Sequence, residues 1–296
     1  MRLYAWAKTD PGKKRDHNED RFLVDEGLGL FAVADGMGGH QGGETASKLA
    51  LDTLRAQIKM ARADLPGTAK KIEEARRAEL FRSTEPHQAI EDTLPATPTG
   101  GVRTIGEEST DPVLDASQPP AMSVLRAAAR SAGHAIYDTA LGDPNLRGMG
   151  TTLTAIMYEQ GRMHVVHAGD SRCYLFRDGA LRQLTEDHSW IAEQVRSGNM
   201  TEAEARESKF RHVITRSVGF ERDVEVDSRG VSVEPGDCYL LCSDGMSNHV
   251  DHGDLERLLA STWYRRAPQA LVDMANQRGG DDNITVVVVM VANDGD

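Results

Sequence analysis

Cysteine, aromatic side chains and positive charge are all scarce in this sequence of 296 residues. The three cysteines, Cys173, Cys238 and Cys242, are an odd number. The last two lie in CYLLC, about 13 Å apart along a strand at ~3.3 Å per residue, which excludes a bridge between them. No CxxC or HxxxH pattern accompanies them, which argues against a zinc site built on these thiols, and reduced cysteines of a cytoplasmic protein are the economical reading. Lys plus Arg number 34 against 46 Asp plus Glu, a formal net charge of -12. A chain this acidic is no general binder of nucleic acid or of anionic membranes. Long apolar runs are missing as well: none approaches the roughly 18 residues of a membrane span, and the N-terminus lacks the basic start and apolar centre of a secretory signal. These absences point to a soluble, cytoplasmic chain, long enough to bury a sizeable core.

What is present is strongly patterned. RLYAWAKT, DRFLVDE and LGLFAVAD read as three short strands with turn-formers between them. From about Glu44 to Lys59 the spacing of Ala46, Leu49, Ala50, Leu54 and Ile58 predicts an amphipathic helix. Val124 to Ala140 predicts another, with Leu125, Ala128, Ala129, Ala132, Ile136 and Tyr137 on one face. TTLTAIMYE, RMHVVHAG and SRCYLFRDG follow as a meander of antiparallel strands. DCYLLCSDG and NITVVVVMV add two more, with helices from about Leu255 to Ala260 and Pro268 to Arg278 between them. Blocks of strands and blocks of helices favour an α+β fold of antiparallel sheets covered by helices over a doubly wound parallel sheet. We expect a single domain over residues 1–296 with two irregular stretches. Ser83 to Pro120 holds six of the eleven prolines, no aromatic residue, and seven acidic residues against one basic, the composition of a disordered insertion. Residues 187–223 read as short helices in a mobile lid, with Thr201 and Glu204 at the spacing of a capping box.

In FAVADGMGGH an apolar run ends in Asp35, and Gly36, Gly38 and Gly39 follow almost at once. A carboxylate at the end of a buried strand needs a positive partner. Asp35 also has company: Asp170 in HAGDSR, Asp244 in LLCSDG and Asp282 in GGDDNIT stand at the edges of apolar strands, and Glu19 and Asp20 at the mouth of another. One Asp-Gly alone is a turn whose aspartate bonds its own backbone. Several acids facing one another would raise each other's pKa or unfold the site unless cations bind. An all-oxygen ligand set selects hard divalent ions, Mg²⁺ or Mn²⁺, over zinc. Gly36, lacking a side chain, lets its carbonyl reach such an ion. A metal pair of this kind supports displacement at phosphorus, and Arg15, just ahead of Glu19 and Asp20, is placed to grip phosphoryl oxygens.

RxxNED at Arg15 to Asp20, VADGMGG at Val33 to Gly39, GTTL at Gly150 to Leu153, GDSR at Gly169 to Arg172, SDG at Ser243 to Gly245 and DNIT at Asp282 to Thr285 occur in a fixed order. In that order and spacing the sequence resembles the metal-dependent serine/threonine protein phosphatases of type 2C, especially the bacterial branch. The resemblance spans essentially the whole chain apart from about residues 60–120. It implies an αββα sandwich of two antiparallel sheets flanked by helices, with two or three Mn²⁺ or Mg²⁺ ions at one edge. It implies hydrolysis of phosphoserine and phosphothreonine by a water bridging the metals. By matching motifs, Asp35 bridges both ions, and the Gly36 carbonyl and a water held by Glu19 and Asp20 complete one of them. Asp244 and Asp282 hold the other, and Asp170 with Asp244 forms a third, weaker position. Arg15 matches the phosphate-binding arginine, and residues 187–223 lie where the family carries its flap. Met37 stands where eukaryotic members have a histidine, which leaves His40, His17 or a metal-bound water as the proton donor. The implied partners are phosphorylated proteins, including a serine/threonine kinase, met by a monomer. The competing expectation is a phosphoprotein-binding adaptor that keeps the fold without turnover.

Overall fold

The structure, a computed structural model, describes residues 1–83, 119–210 and 212–293. Its strands are β1 (Arg2–Asp10), β2 (Arg21–Asp25), β3 (Leu30–Ala34), β4 (Gly36–Met37), β5 (Gly150–Thr151), β6 (Leu153–Glu159), β7 (Arg162–Ala168), β8 (Arg172–Arg177), β9 (Ala180–Gln183), β10 (Asp227–Ser232), β11 (Cys238–Cys242) and β12 (Ile284–Ala292). Its helices are α1 (His40–Ala61), α2 (Leu65–Ser83), α3 (Pro120–Gly142), α4 (Trp190–Arg196), α5 (Glu202–Glu207), α6 (Asp244–Ser247), α7 (His252–Ser261) and α8 (Ala267–Gln277). One five-stranded sheet runs β1-β12-β11-β8-β9, the other β10-β7-β6-β3-β2, and β4 pairs with β5 alone. Every ladder between these strands is antiparallel.

Side-chain alternation builds the layers. In β12 Ile284, Val286 and Val288 pack with Leu255, Leu271 and Val272 of α7 and α8, while Val287, Val289 and Val291 point the other way and meet Phe31, Val33 and Ile156 of the second sheet. Strand β3 repeats this on the second sheet: Leu30, Ala32 and Ala34 pack with Ala46, Ala50, Leu54 and Ile58 of α1 and with Leu125, Ala129, Ala132 and Ile136 of α3. A strand buried on both faces loses the polar alternation of a surface strand, which is why NITVVVVMV is nearly continuous in valine. Each fully buried aliphatic side chain there contributes about 1.5–3 kcal/mol. The result is a helix, sheet, sheet, helix sandwich, the α+β architecture expected. Cys173 lies in the layer between the sheets, and Cys238 and Cys242 face the helices; all three are free and buried.

Several elements depart from the expected bounds. Helix α1 starts at His40, ahead of Glu44, because Gly42 and Gly43 enter the helix where it presses on the strand-end turn before it. Helix α2 has no counterpart in the sequence reading. Leu65 and Ala69 are its buried apolar residues in the described part, too few to register as a stripe. Of the insertion expected over residues 83–120, residues 84–118 lie outside the described residues, while Ser83 ends α2 and Pro119 and Pro120 cap and open α3. Thr201 and Glu204 form both halves of the capping box at the start of α5.

Candidate metal centre

The ladder registers decide which strand ends share an edge. Arg21 pairs with Ala34, so Glu19 and Asp20, which precede β2, stand beside Asp35, which follows β3. Leu153 pairs with Ala168, which brings the end of β7, and with it Asp170, to the same edge as the start of β6. In the other sheet Cys242 pairs with Val286, so Asp244, beyond β11, neighbours Asp282, ahead of β12. The two edges are joined across the sandwich by Ser243, whose Oγ donates to Asp20 Oδ2 at 2.7 Å.

Small polar side chains hold the turns that carry the acids. Asn283 is the largest hub: its Oδ1 accepts from Glu19 N at 2.8 Å, and its Nδ2 donates to the carbonyls of Pro11 and His17 at 3.0 and 2.8 Å. It therefore clamps the RDHNED loop onto the DNIT corner. The Asp35 backbone is fastened by the GTT stretch: its N–H donates to Thr152 Oγ1 at 3.0 Å, and its carbonyl accepts from Thr152 N and Thr151 Oγ1, both at 2.9 Å. Ser243 also receives Thr285 N on its Oγ at 2.9 Å. Glycines make room. A Cβ on Gly245 would lie 2.1 Å from the Asn283 carbonyl oxygen. One on Gly36 would lie 2.1 Å from the Gly43 carbonyl oxygen and 2.8 Å from that of Glu19. Gly36 is thus required by the close approach of α1 to the turn, a packing reason that the sequence reading did not include.

The electrostatics of this edge are those of a site short of positive charge. Burial, opposed by hydrogen bonds from Ser243 and Thr285, pushes the Asp20 carboxyl up to about 7. Burial and then the fields of Asp20, Asp244, Asp170 and Asp282 push Asp35 well above the usual carboxylate range. Asp170 moves the same way through burial, Asp244 and Asp187. Asp244 does too, through burial and Asp282, partly offset by a hydrogen bond with Asp35. Asp20 Oδ1, Asp170 Oδ1 and Asp244 Oδ1 are buried without any hydrogen-bond partner. Among the described residues no three acids or histidines close into a preformed ligand cluster. The orphaned oxygens and mutual repulsion nonetheless fit hard cations, because a buried carboxylate lone pair that has lost water needs a partner of opposite charge. The donor set fits divalent ions taken by carboxylate oxygen.

Of the expected site residues, the structure brings Asp20, Asp35, Asp170, Asp244 and Asp282 into one another's fields. Glu19 lies against α1, where a Cβ on Gly43 would sit 1.8 Å from its Oε2. Arg15 is on the rim, its Nη2 donating to Asp282 Oδ2 at 2.7 Å. Burial lowers its pKa, but Asp282, Glu19 and Asp244 outweigh that and raise it overall. His40 opens α1 after Gly38 and Gly39, at φ 119 and 77; its side chain lies outside what the structure describes. Sequence reasoning missed the supporting residues Asn283, Ser243, Thr151 and Thr152. The signal for them was their place inside motifs already singled out, as small polar groups among apolar strand residues.

A family profile for protein phosphatase 2C matches residues 12–277. The serine/threonine phosphatase Stp of Listeria innocua is 33% identical over 292 residues, covering 97% of this chain and 95% of that protein. The crystal structure of the serine/threonine phosphatase PstP/Ppp of Mycobacterium tuberculosis superposes with a TM-score of 0.76 at 31% identity, covering 99% of this chain and 100% of that one. The catalytic domain of PstP in complex with two manganese ions gives 0.72 at 31% identity, covering 99% of each chain. The converging strand-end acids, the two-sheet sandwich and this similarity along nearly the whole length agree, and the chain belongs to the protein phosphatase 2C family.

Proposed function

We propose that the chain is a metal-dependent protein phosphatase that hydrolyses phosphoserine and phosphothreonine. The observation that carries this reading is the set of buried, mutually repelling carboxylates with three orphaned oxygens at one sandwich edge. Asp35, Asp20, Asp244 and Asp282, with Glu19 and the Gly36 carbonyl, would hold two Mn²⁺ or Mg²⁺ ions, and Asp170 with Asp244 a third. Bound there, such ions lower the pKa of a water and clamp the oxygens of a phosphoryl group. Arg15 uses one N–H on Asp282, and a guanidinium carries five; the rest are available to phosphoryl oxygens. His40 is assigned the proton that the departing seryl oxygen needs. Residues 187–223 serve as the flap beside the site. Every matched acid is in place, which supports turnover over an adaptor role.

Phosphorylated proteins are the substrates of this reading, and the opposing serine/threonine kinase belongs among them. Buried free thiols at Cys173, Cys238 and Cys242 support a cytoplasmic place of action. Among the described residues no helix is long and apolar enough to cross a membrane. A single chain carries every acid assigned to the site, and on this reading it acts as a monomer. The deciding experiment is hydrolysis of a phosphothreonine peptide with added Mn²⁺ and with chelator. Turnover that needs Mn²⁺ is expected; equal rates in chelator, or none under either condition, would remove the proposal.

A further inference from the structure

Asp170 is buried, burial and then the fields of Asp244 and Asp187 raise its carboxyl pKa, and its Oδ1 has no partner. Two neighbours hold the turn it stands in. The residue before it, Gly169, has φ 118, and a Cβ there would lie 2.6 Å from Thr152 Cβ, so one side of the turn rests on Thr152. The other side is gripped by His188, which is 3% exposed. Gly169 N donates to His188 Nδ1 at 3.1 Å, and His188 N donates to the Gly169 carbonyl at 2.7 Å. Both backbone groups of Gly169 are thus bonded to one residue.

The far side of the imidazole is equally committed. His188 Nε2 lies 3.1 Å from Asp227 Oδ2, and Arg216 Nη1 donates to Asp227 Oδ1 at 3.0 Å. Because Nδ1 accepts from a backbone N–H, it carries no proton, so Nε2 carries the hydrogen and donates to Asp227. Burial lowers the His188 pKa against the pull of Asp227, consistent with a neutral ring. His188 also receives Thr215 N on its own carbonyl at 2.8 Å, and Trp190 N donates to the Val213 carbonyl at 2.9 Å. The two legs of the flap therefore meet at this residue. A backbone N–H, an imidazole, a carboxylate and a guanidinium form one chain of bonds from the Asp170 turn to the flap root and the start of β10.

We propose that His188 is a positioning residue whose Nδ1, accepting from Gly169 N, fixes the Asp170 turn for metal binding, so that the weakest metal position depends on an acceptor lying behind it. This rests on the reading that Asp170 with Asp244 holds the third metal ion. Outer partners that orient a ligand typically change metal affinity by about 10–100-fold. Asparagine at this position would place its Oδ1 where Nδ1 stands, keeping the acceptor for Gly169 while losing the reach to Asp227.

The test counts Mn²⁺ on the full chain by the electron paramagnetic resonance of the free ion, in wild type, Asp170→Ala, His188→Ala and His188→Asn. Asp170→Ala is expected to lose the weakest ion. His188→Ala is expected to weaken it about tenfold and leave the tighter pair unmoved, and His188→Asn to stay within about twofold of wild type. Wild-type binding in His188→Ala while Asp170→Ala loses the ion would overturn the role of His188 alone. Equal weakening in both His188 variants would overturn the Nδ1 acceptor as its means. An Asp170→Ala protein that keeps every ion would overturn the Asp170 reading, and this inference with it. The tautomer is checked without substitution: the ¹⁵N shifts of the wild-type ring should show an unprotonated Nδ1 and a protonated Nε2 at neutral pH. The opposite tautomer, or an imidazolium, would overturn the proposal even if a variant failed to fold.

Discussion

Asp244 accepts from Asn248 Nδ2 at 3.1 Å on one oxygen, and its other oxygen, Oδ1, is buried without a partner. Asparagine there keeps the volume and removes the charge, so Asp244→Asn should abolish turnover while raising the melting temperature of the metal-free protein, because one repelling carboxylate is gone. Calorimetry beside a phosphopeptide assay reads both; activity near wild type, or a lower melting temperature, would contradict the metal assignment. Arg15 is the complementary case. Its removal takes a charged donor from the phosphoryl group and a cation from Asp282. Arg15→Ala should therefore lower kcat/KM on a phosphopeptide by roughly 2–3 kcal/mol without loss of Mn²⁺ affinity. An unchanged specificity constant would make Arg15 a surface residue, for which its 54% exposed side chain leaves room. The acids could be read from the sequence because each closes an apolar strand. Asn283 stands inside the DNIT motif, yet its bond to Glu19 N, 264 residues away, could not be read there, and neither could that of His188 to a glycine 19 residues away.

Helix α1 shows how an element, once packed, sets the chemistry beside it. Gly36 and Gly43 touch where the helix start meets the turn after β3, but the two glycines are not equivalent. A methyl on Gly36 would strike only backbone, the Gly43 carbonyl oxygen at 2.1 Å and its carbon at 2.4 Å; one on Gly43 would strike first the Glu19 Oε2 at 1.8 Å, the end of a flexible side chain, and backbone only at 2.9 Å from Gly36 C. Gly36→Ala should destabilise by about 1–3 kcal/mol or more. Gly43→Ala should fold better than that and chiefly displace Glu19, raising the Mn²⁺ concentration needed for half-maximal rate. Denaturant melts and Mn²⁺ titrations of both variants check this; a Gly43→Ala protein as unstable as Gly36→Ala would refute the distinction. Elements buried on both faces, such as β12, were legible because their apolar runs leave one reading. Strand β10 was not, because DSRGVS is a mostly exposed edge strand whose ladder to β7 no side-chain pattern announces. Helix α6, only four residues long, carries no stripe of its own, so the strand expected over DCYLLCSDG ran on through Gly245, whereas β11 ends at Cys242.

At the scale of the whole molecule the acidic edge links stability to pH and to metal. The Asp20 carboxyl titrates at about 7 in the fold against 3.8 in its absence, and Asp35, Asp170 and Asp244 shift the same way. Between those values the folded state holds protons that the unfolded chain has released, so stability falls as pH rises through that window. The metal-free protein should melt at a lower temperature at pH 8 than at pH 5, by an amount reflecting a few kcal/mol, and Mn²⁺ added at the higher pH should restore it. A flat profile in chelator would count against a buried, charge-starved centre. Residues 84–118 stand apart from this economy: the helices that flank them carry none of the acids. Exchanging them for a Gly/Ser linker of the same length should leave phosphopeptide hydrolysis within about twofold, since closure entropy follows length and the length is unchanged; a tenfold loss would place part of the machinery there. Finally, β1 pairs along its length with β12, Leu3 opposite Val291. During synthesis at roughly 5–20 residues per second, the first strand waits on the order of 15–60 seconds for its neighbour. Asp282 and Asn283 emerge only just ahead of that neighbour. A nascent chain on the ribosome therefore has an open sheet edge that needs shielding, and no assembled centre with which to act on the proteins around it.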